Sequence, residues 1–235
     1  GVGVADIVPQ SAAQKAHAIQ PQFGTVEPMQ RRHRGGCRSP LHGRGIVFLT
    51  PHLGCFEMTA QQIALKTPLT VMYRPPRQAA LKPLVEGARA RHNLHLAPAN
   101  MSGVRILAKT LRRGEPIGVL PDQVPQEGEG VWAPFFGRTA YTMTLPAKLA
   151  KMGDAAVILV YAERRPHGRG YIVRFVPFDG VLEGSAADQA GAINRAMEQL
   201  IARAPAQYFW SYNRYKQPEG VDGPGAAAPG AQVNA

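Results

Sequence analysis

One histidine of the seven in this 235-residue chain has an acidic residue five positions later: His52, followed by Glu57. It also lies just beyond a short apolar run, separated from it by Thr50-Pro51, where a strand would give way to a loop. A carboxylate held on one imidazole nitrogen fixes the tautomer and leaves the other nitrogen free as a base. That equipment removes a proton from an alcohol. On an ideal helix five residues correspond to about 140° of rotation, so the two side chains would not share a face. They meet only if His52 sits in the turn before the helix and Gly54 lets the chain bend. By spacing alone, a packed or surface histidine remains an open reading.

Other chemistries lack their residues. Cys55 falls between His52 and Glu57, but nothing marks it as a lowered-pKa thiolate, and a small inert cysteine is the expectation. There is no Gly-x-Ser-x-Gly elbow, phosphate-binding glycine loop, dinucleotide fingerprint or metal-ligand cluster. His92 and His95 are spaced i, i+3 near a helix end, which suits surface placement better than metal binding; no metal is expected.

The elements that must position His52 read as alternating strands and helices. Ile46-Val47-Phe48-Leu49 has the continuous apolar character of a buried parallel strand and stops at Thr50-Pro51-His52-Leu53-Gly54. A helical pattern follows from Phe56 to Lys66, then a strand from Leu69 to Tyr73 closed by Arg74-Pro75-Pro76. Helical spacing over Gln78 to His92 and a short strand from Leu94 to Ala97 come next. Ser102 is the expected N-cap of a helix reaching Arg113 and ended by Gly114. Ile117 to Leu120 is a strand leading into Pro121-Asp122-Gln123, and Thr144 to Met152 is a helix stopped by Gly153. Ala156 to Tyr161 and Tyr171 to Phe178 are strands able to pair as a hairpin, and Ala186 to Arg203 is a last helix. This alternation predicts a single α/β domain with a mainly parallel, mixed central sheet flanked by helices. Ligands collect at the carboxyl ends of such strands. The loops of interest are therefore 50–54, 74–77, 122–138 and the turn 164–170.

Composition bounds the partners. Lysine and arginine number 27 against 16 acidic residues, a net charge of +11, which favours polyanions: nucleic acid, an anionic membrane surface or a phosphorylated lipid. Two cysteines, Cys37 and Cys55, support neither a disulfide scaffold nor a zinc ribbon. The longest apolar stretch, Ala155 to Ala162, is far short of the roughly 18 to 20 residues that span a bilayer. No signal peptide is visible. Residues 1–43 have no sustained period, and their basic run Arg31-Arg32-His33-Arg34 reads as solvated coil.

Several segments together resemble a known family. Thr50-Pro51-His52-Leu53-Gly54-Cys55-Phe56-Glu57 resembles the His-x4-Asp/Glu signature of the lysophospholipid acyltransferase superfamily, in particular the lipid A biosynthesis lauroyl and myristoyl acyltransferases. Three more segments agree in order and spacing: Met72 to Pro76; Gly118 to Gln123 continuing to Pro134-Phe135-Phe136-Gly137-Arg138; and Tyr208 to Lys216. The resemblance implies a glycerol-3-phosphate acyltransferase-like fold and O-acyl transfer. His52 would be the general base and Glu57 its orienting partner. Arg74, Arg105, Asp122 and Arg138 match substrate-binding and site-shaping positions.

By the same resemblance no cofactor is needed; an acyl-carrier-protein thioester is the co-substrate and a Kdo-linked lipid A precursor the acceptor. Acyl carrier protein, that precursor and an anionic membrane surface are the implied partners, with nucleic acid excluded. The implied location is the cytoplasmic face of the bacterial inner membrane, peripheral or monotopic, with no transmembrane helix in this chain. Residues 1–43 resemble neither the anchoring helix nor the amphipathic segment typical of the family. The expected division is an irregular basic segment at 1–43, truncated or aberrant, an acyltransferase domain at 44–216, and a disordered tail at 217–235. A same-fold enzyme for a glycerolipid or other amphiphile is the nearest rival. It would carry a Pro-Glu-Gly-Thr-type loop in place of Pro121-Asp122-Gln123. A basic binding module and an inactive homologue are the remaining alternatives.

Overall fold

The computed structural model describes residues 44–76, 78–89 and 93–225. The arginine run of the N-terminal segment, Cys37 and His92 lie outside these residues. β1 (Ile46–Leu49) is buried at every position, as a continuous apolar run should be when helices cover both faces of a sheet. It occupies the interior of a six-stranded sheet of order β3-β2-β4-β1-β7-β8. The partners are β2 (Leu69–Tyr73), β3 (Leu94–Pro98), β4 (Pro116–Val119), β7 (Ala156–Arg164) and β8 (Tyr171–Pro177). β3, β2, β4, β1 and β7 run parallel, and β8 returns antiparallel on β7, giving the mixed sheet expected from the alternation of elements.

Side-chain alternation along β1 divides the core in two. Val47 and Leu49 join Leu107, Leu111, Ile117, Leu149, Ile193 and Met197 on one face. That face is covered by α3 (Met101–Arg112), α4 (Leu145–Met152) and α5 (Ala186–Arg203). Ile46 and Phe48 face Ile63, Leu69 and Val160 on the other, under α1 (Phe56–Ala64). Segment 78–92, read as one helix, begins with a 3-10 turn at Ala79–Leu81 before α2 (Lys82–Arg89). The N-cap of α3 is Asn100, not Ser102. The Asn100 carboxamide oxygen accepts from the backbone N–H of Ser102 at 3.0 Å and of Gly103 at 3.1 Å, the second and third helical positions.

One element was not legible. Across the loop read at 122–138 and the unassigned stretch after it, β5 (Gly130–Phe135) and β6 (Arg138–Met143) form an antiparallel hairpin outside the main sheet. Its two-residue turn, Phe136-Gly137, has φ of 46° and 72°, the pair of positive values that a twisted hairpin requires. Phenylalanine is an unusual residue for the first position, and Pro134 within β5 reads against a strand. Burial compensates: the hairpin rests on α5, where the Asn194 amide donates to the Pro134 carbonyl at 2.8 Å. Residues 217–225, expected to belong to a disordered tail, run as turns and irregular chain, and the Trp132 indole donates to the Asp222 carbonyl at 2.8 Å. Among the described residues no helix is long and apolar enough to cross a membrane.

Candidate active site

The register of two parallel strands builds the site. Leu49 of β1 pairs with Val119 of β4, and each strand runs on through two residues to a polar third: Thr50-Pro51-His52 and Leu120-Pro121-Asp122. The Thr50 N–H still bonds the Val119 carbonyl at 3.3 Å, so the strand ends leave the sheet together. His52 and Asp122, 70 positions apart, therefore emerge side by side. The Asp122 carboxylate accepts twice from His52, from the backbone N–H at 2.8 Å and from ring Nδ1 at 2.7 Å. One bond fixes where the residue sits and the other fixes how its ring turns.

Asp122 is only 2% exposed, whereas the His52 side chain is 17% exposed. With Nδ1–H donating a hydrogen bond to the carboxylate, Nε2 of the neutral ring carries the lone pair. The Gln123 carboxamide nitrogen lies 3.2 Å from Nε2, where an N–H donor suits that tautomer. Asp122 also faces the buried Tyr208 hydroxyl, whose pKa is raised well above the phenol range, first by burial and then by the Asp122 charge. Phe56 meets the imidazole edge-on at 4.8 Å between ring centres, and Phe209 lies at 6.3 Å.

The loop carrying His52 is held on both sides. The Phe209 N–H donates to the His52 carbonyl at 3.1 Å and the Gly54 N–H to Gln207 at 3.0 Å, with Leu53 and Tyr208 bridged as in a sheet. Opposite, the Cys55 N–H donates to the Ala162 carbonyl of β7 at 2.9 Å. Gly54 has φ of +62°, and a Cβ there would lie 2.0 Å from the Ala162 oxygen. Only glycine fits both conditions. Beside His52 opens a cavity of about 380 Å³, with Phe56, Arg164, Gln207, Tyr208 and Phe209 in its wall.

The remaining expected site residues are placed differently. Glu57, in the first turn of α1, is ion-paired with Arg89 of α2, its Oε2 accepting from Nε at 3.0 Å and its Oε1 from the guanidinium. The expected His52–Glu57 pairing is thus replaced by His52–Asp122. The arginine draws Glu57 toward α2, while strand register brings Asp122 to the imidazole. Asp122, expected among the substrate-binding residues, is spent on His52. Arg74 is exposed at the carboxyl end of β2 and Arg105 is exposed on α3. The Arg138 guanidinium stacks 4.1 Å over the Tyr215 ring. None of these three arginines lines the cavity beside His52.

Cys55 is half-buried against the α1-side core. His95 is exposed on β3, and among the described residues no three His, Cys, Asp or Glu side chains gather as metal ligands. Gln123, Gln207 and Arg164 were not singled out from sequence. Gln123 and Tyr208-Phe209 lie within the motifs quoted above, which was the available signal. Arg164 opens the turn 164–170, one of the loops of interest, whereas Gln207 carried no signal.

Residues 38–217 match the profile of bacterial lipid A biosynthesis acyltransferases. The chain is 29% identical over 181 residues to the lipid A biosynthesis lauroyltransferase of Escherichia coli K12, a match covering 76% of this chain and 58% of that protein. It is 27% identical over 183 residues to the lipid A biosynthesis palmitoleoyltransferase of the same organism, with the same coverage. It is 30% identical over 178 residues to a lipid A biosynthesis acyltransferase of Haemophilus influenzae, covering 74% of this chain and 54% of that one. The chain thus spans little more than half the length of these relatives.

Proposed function

Because the chain belongs to the bacterial lipid A biosynthesis acyltransferase family, we propose that it moves a fatty acyl chain from an acyl-carrier-protein thioester to a hydroxyl of a Kdo-linked lipid A precursor, with His52 as general base. The observation that carries the reading is the His52–Asp122 pair at 2.7 Å, with Nε2 left as proton acceptor beside an open cavity. The acceptor hydroxyl takes the place of the Gln123 amide on Nε2. Its proton passes to Nε2 as its oxygen forms a bond to the thioester carbonyl carbon. Collapse of the tetrahedral intermediate breaks the carbon–sulfur bond, and the Nε2 proton goes to the departing thiolate. Asp122 stabilises the imidazolium formed in between. Direct attack by the acceptor makes an acyl-enzyme unnecessary.

Glu57 serves the site indirectly, tying α1 to α2 through Arg89. Arg74 is exposed and in no salt bridge with another described residue, and is available to an acceptor phosphate, as is Arg105. Arg138 is held by Tyr215 at the start of β6. The working location is an anionic membrane surface at the cytoplasmic side, which suits the net charge of +11 and the exposed Phe209 and Trp210 near His52.

The test is acyl transfer in detergent, using acyl-carrier-protein thioesters of several lengths and a tetra-acylated Kdo-linked precursor. A lysoglycerolipid acceptor runs in parallel. Transfer to the precursor should fall by about 10²- to 10⁴-fold in His52→Ala, the scale of a lost general base. Most activity surviving that substitution would remove His52 from the mechanism, and preference for the lysoglycerolipid would move the assignment to another branch of the fold.

A further inference from the structure

Among the residues lining the cavity beside His52 one is permanently charged, Arg164, and the proton-transfer chemistry above makes no use of it. Arg164 is the last residue of β7, two positions beyond Ala162, whose carbonyl holds the His52 loop. Its backbone is clamped by Gln207 from the opposite wall: the Arg164 N–H donates to Gln207 Oε1 at 2.8 Å, and Gln207 Nε2 donates to the Arg164 carbonyl at 3.0 Å. The carboxamide is thereby consumed on the main chain, while the guanidinium is exposed and makes no salt bridge with another described residue.

The nearest acid in sequence, Glu163, points to the other face of the strand and is taken by Arg174 at 2.7 Å. The hairpin tip that follows, 164–170, contains Arg164, Arg165 and Arg169 and no acidic residue. A guanidinium fixed at its backbone, lacking a carboxylate partner and set in a positive local field, is suited to a planar or tetrahedral oxyanion through forked hydrogen bonds.

We infer that Arg164 is an anion-binding residue of this cavity and takes a phosphate ester of a substrate while the reacting hydroxyl lies on His52. The inference rests on the acyltransferase reading for the placement of substrate in the cavity. Two sources share the chemistry: a phosphorylated acceptor headgroup, and the phosphate-bearing pantetheine arm of the thioester donor.

Equilibrium binding separates them without turnover. One arm compares a phosphorylated, acylated glucosamine disaccharide with its dephosphorylated form in nonionic micelles. The other compares acyl-pantetheine 4′-phosphate with acyl-pantetheine. The full chain should prefer the phosphorylated member of one pair by about 10-fold or more, the scale of a charge-assisted hydrogen bond. Arg164→Ala should abolish that preference and Arg164→Lys should retain part of it. Arg165→Ala, which alters the tip but not the cavity wall, should leave it intact. The pair that responds identifies the source.

Absence of preference in both pairs overturns the inference, as does a preference that survives Arg164→Ala or is lost equally in Arg165→Ala. Transfer that depends on His52 with binding indifferent to Arg164 refutes this inference alone. A phosphate preference at Arg164 in a chain that transfers nothing refutes the acyl-transfer reading alone.

Discussion

At the residue scale the decisive contact is the double acceptance by Asp122 from one histidine. A backbone N–H at 2.8 Å and a ring nitrogen at 2.7 Å leave the imidazole with one orientation and one neutral tautomer. Asp122→Asn keeps the shape but presents an amide in place of the carboxylate, so the ring turns or changes tautomer and the imidazolium loses its counter-charge. We expect a fall of about 10²- to 10⁴-fold in kcat for acyl transfer, by analogy with other carboxylate–histidine pairs. Glu57→Gln removes a salt bridge that is partly exposed on both sides, and a decrease of less than about 10-fold is expected. Steady-state kinetics of the two variants decide between the carboxylates. If Glu57→Gln collapses while Asp122→Asn is nearly unaffected, Glu57 is the true partner of His52.

At the scale of elements, the His52 loop acts as an added strand between β7 and the segment at 207–209. Gly54 is the residue on which this depends, because a Cβ would lie 2.0 Å from a backbone oxygen and backbone cannot step aside as a side chain can. Gly54→Ala should push the loop from Ala162 and carry His52 out of reach of Asp122. The expected outcome is loss of at least about 100-fold in transfer, on the scale of a misplaced catalytic group. Far-ultraviolet circular dichroism should stay near that of the parent chain, since the sheet itself lies outside the altered turn. Activity within a few-fold of the parent would show that the loop can be held without this contact.

For the whole molecule, Arg214 joins parts distant in sequence. It is 3% exposed and donates to the Tyr141 carbonyl and the Thr142 hydroxyl at 2.7 Å each, and to the Asn194 carboxamide at 3.4 Å. Burial lowers its pKa from the ordinary guanidinium value, with the neighbouring Tyr208 and Asp122 acting in the opposite sense. Arg214→Ala would unlink the β5–β6 hairpin, α5 and the C-terminal segment behind the cavity. A cost of about 3 kcal/mol is expected, read from the urea midpoint at unchanged slope.

Charge is the other whole-molecule property. With a net +11 and Phe209 and Trp210 about half exposed, the chain should sediment with vesicles containing anionic lipid and not with neutral ones. Binding should weaken steeply between 50 mM and 500 mM salt, as the screening length contracts. Equal binding to neutral vesicles would show that exposed apolar side chains, and not charge, drive attachment.

Local pattern determined most of the fold in this sequence. The apolar run Ile46 to Leu49, the helix Ala186 to Arg203 and the β7–β8 pair follow from periodicity and turn residues that act over a few positions. His52 was legible too, because a strand end followed by His-Leu-Gly is a local signal. Its partner was not. Asp122 reaches the imidazole only because β4, fourth in sequence, lies beside β1 in register Leu49 to Val119, and strand order is a long-range choice made by packing. Glu57, five residues away in sequence, is drawn instead to Arg89 across the interface between two helices. The β5–β6 hairpin was likewise decided at tertiary range. Its turn and Pro134 are poor local signals, and it holds because α5 and Arg214 satisfy backbone groups and side chains that no neighbour in sequence could reach.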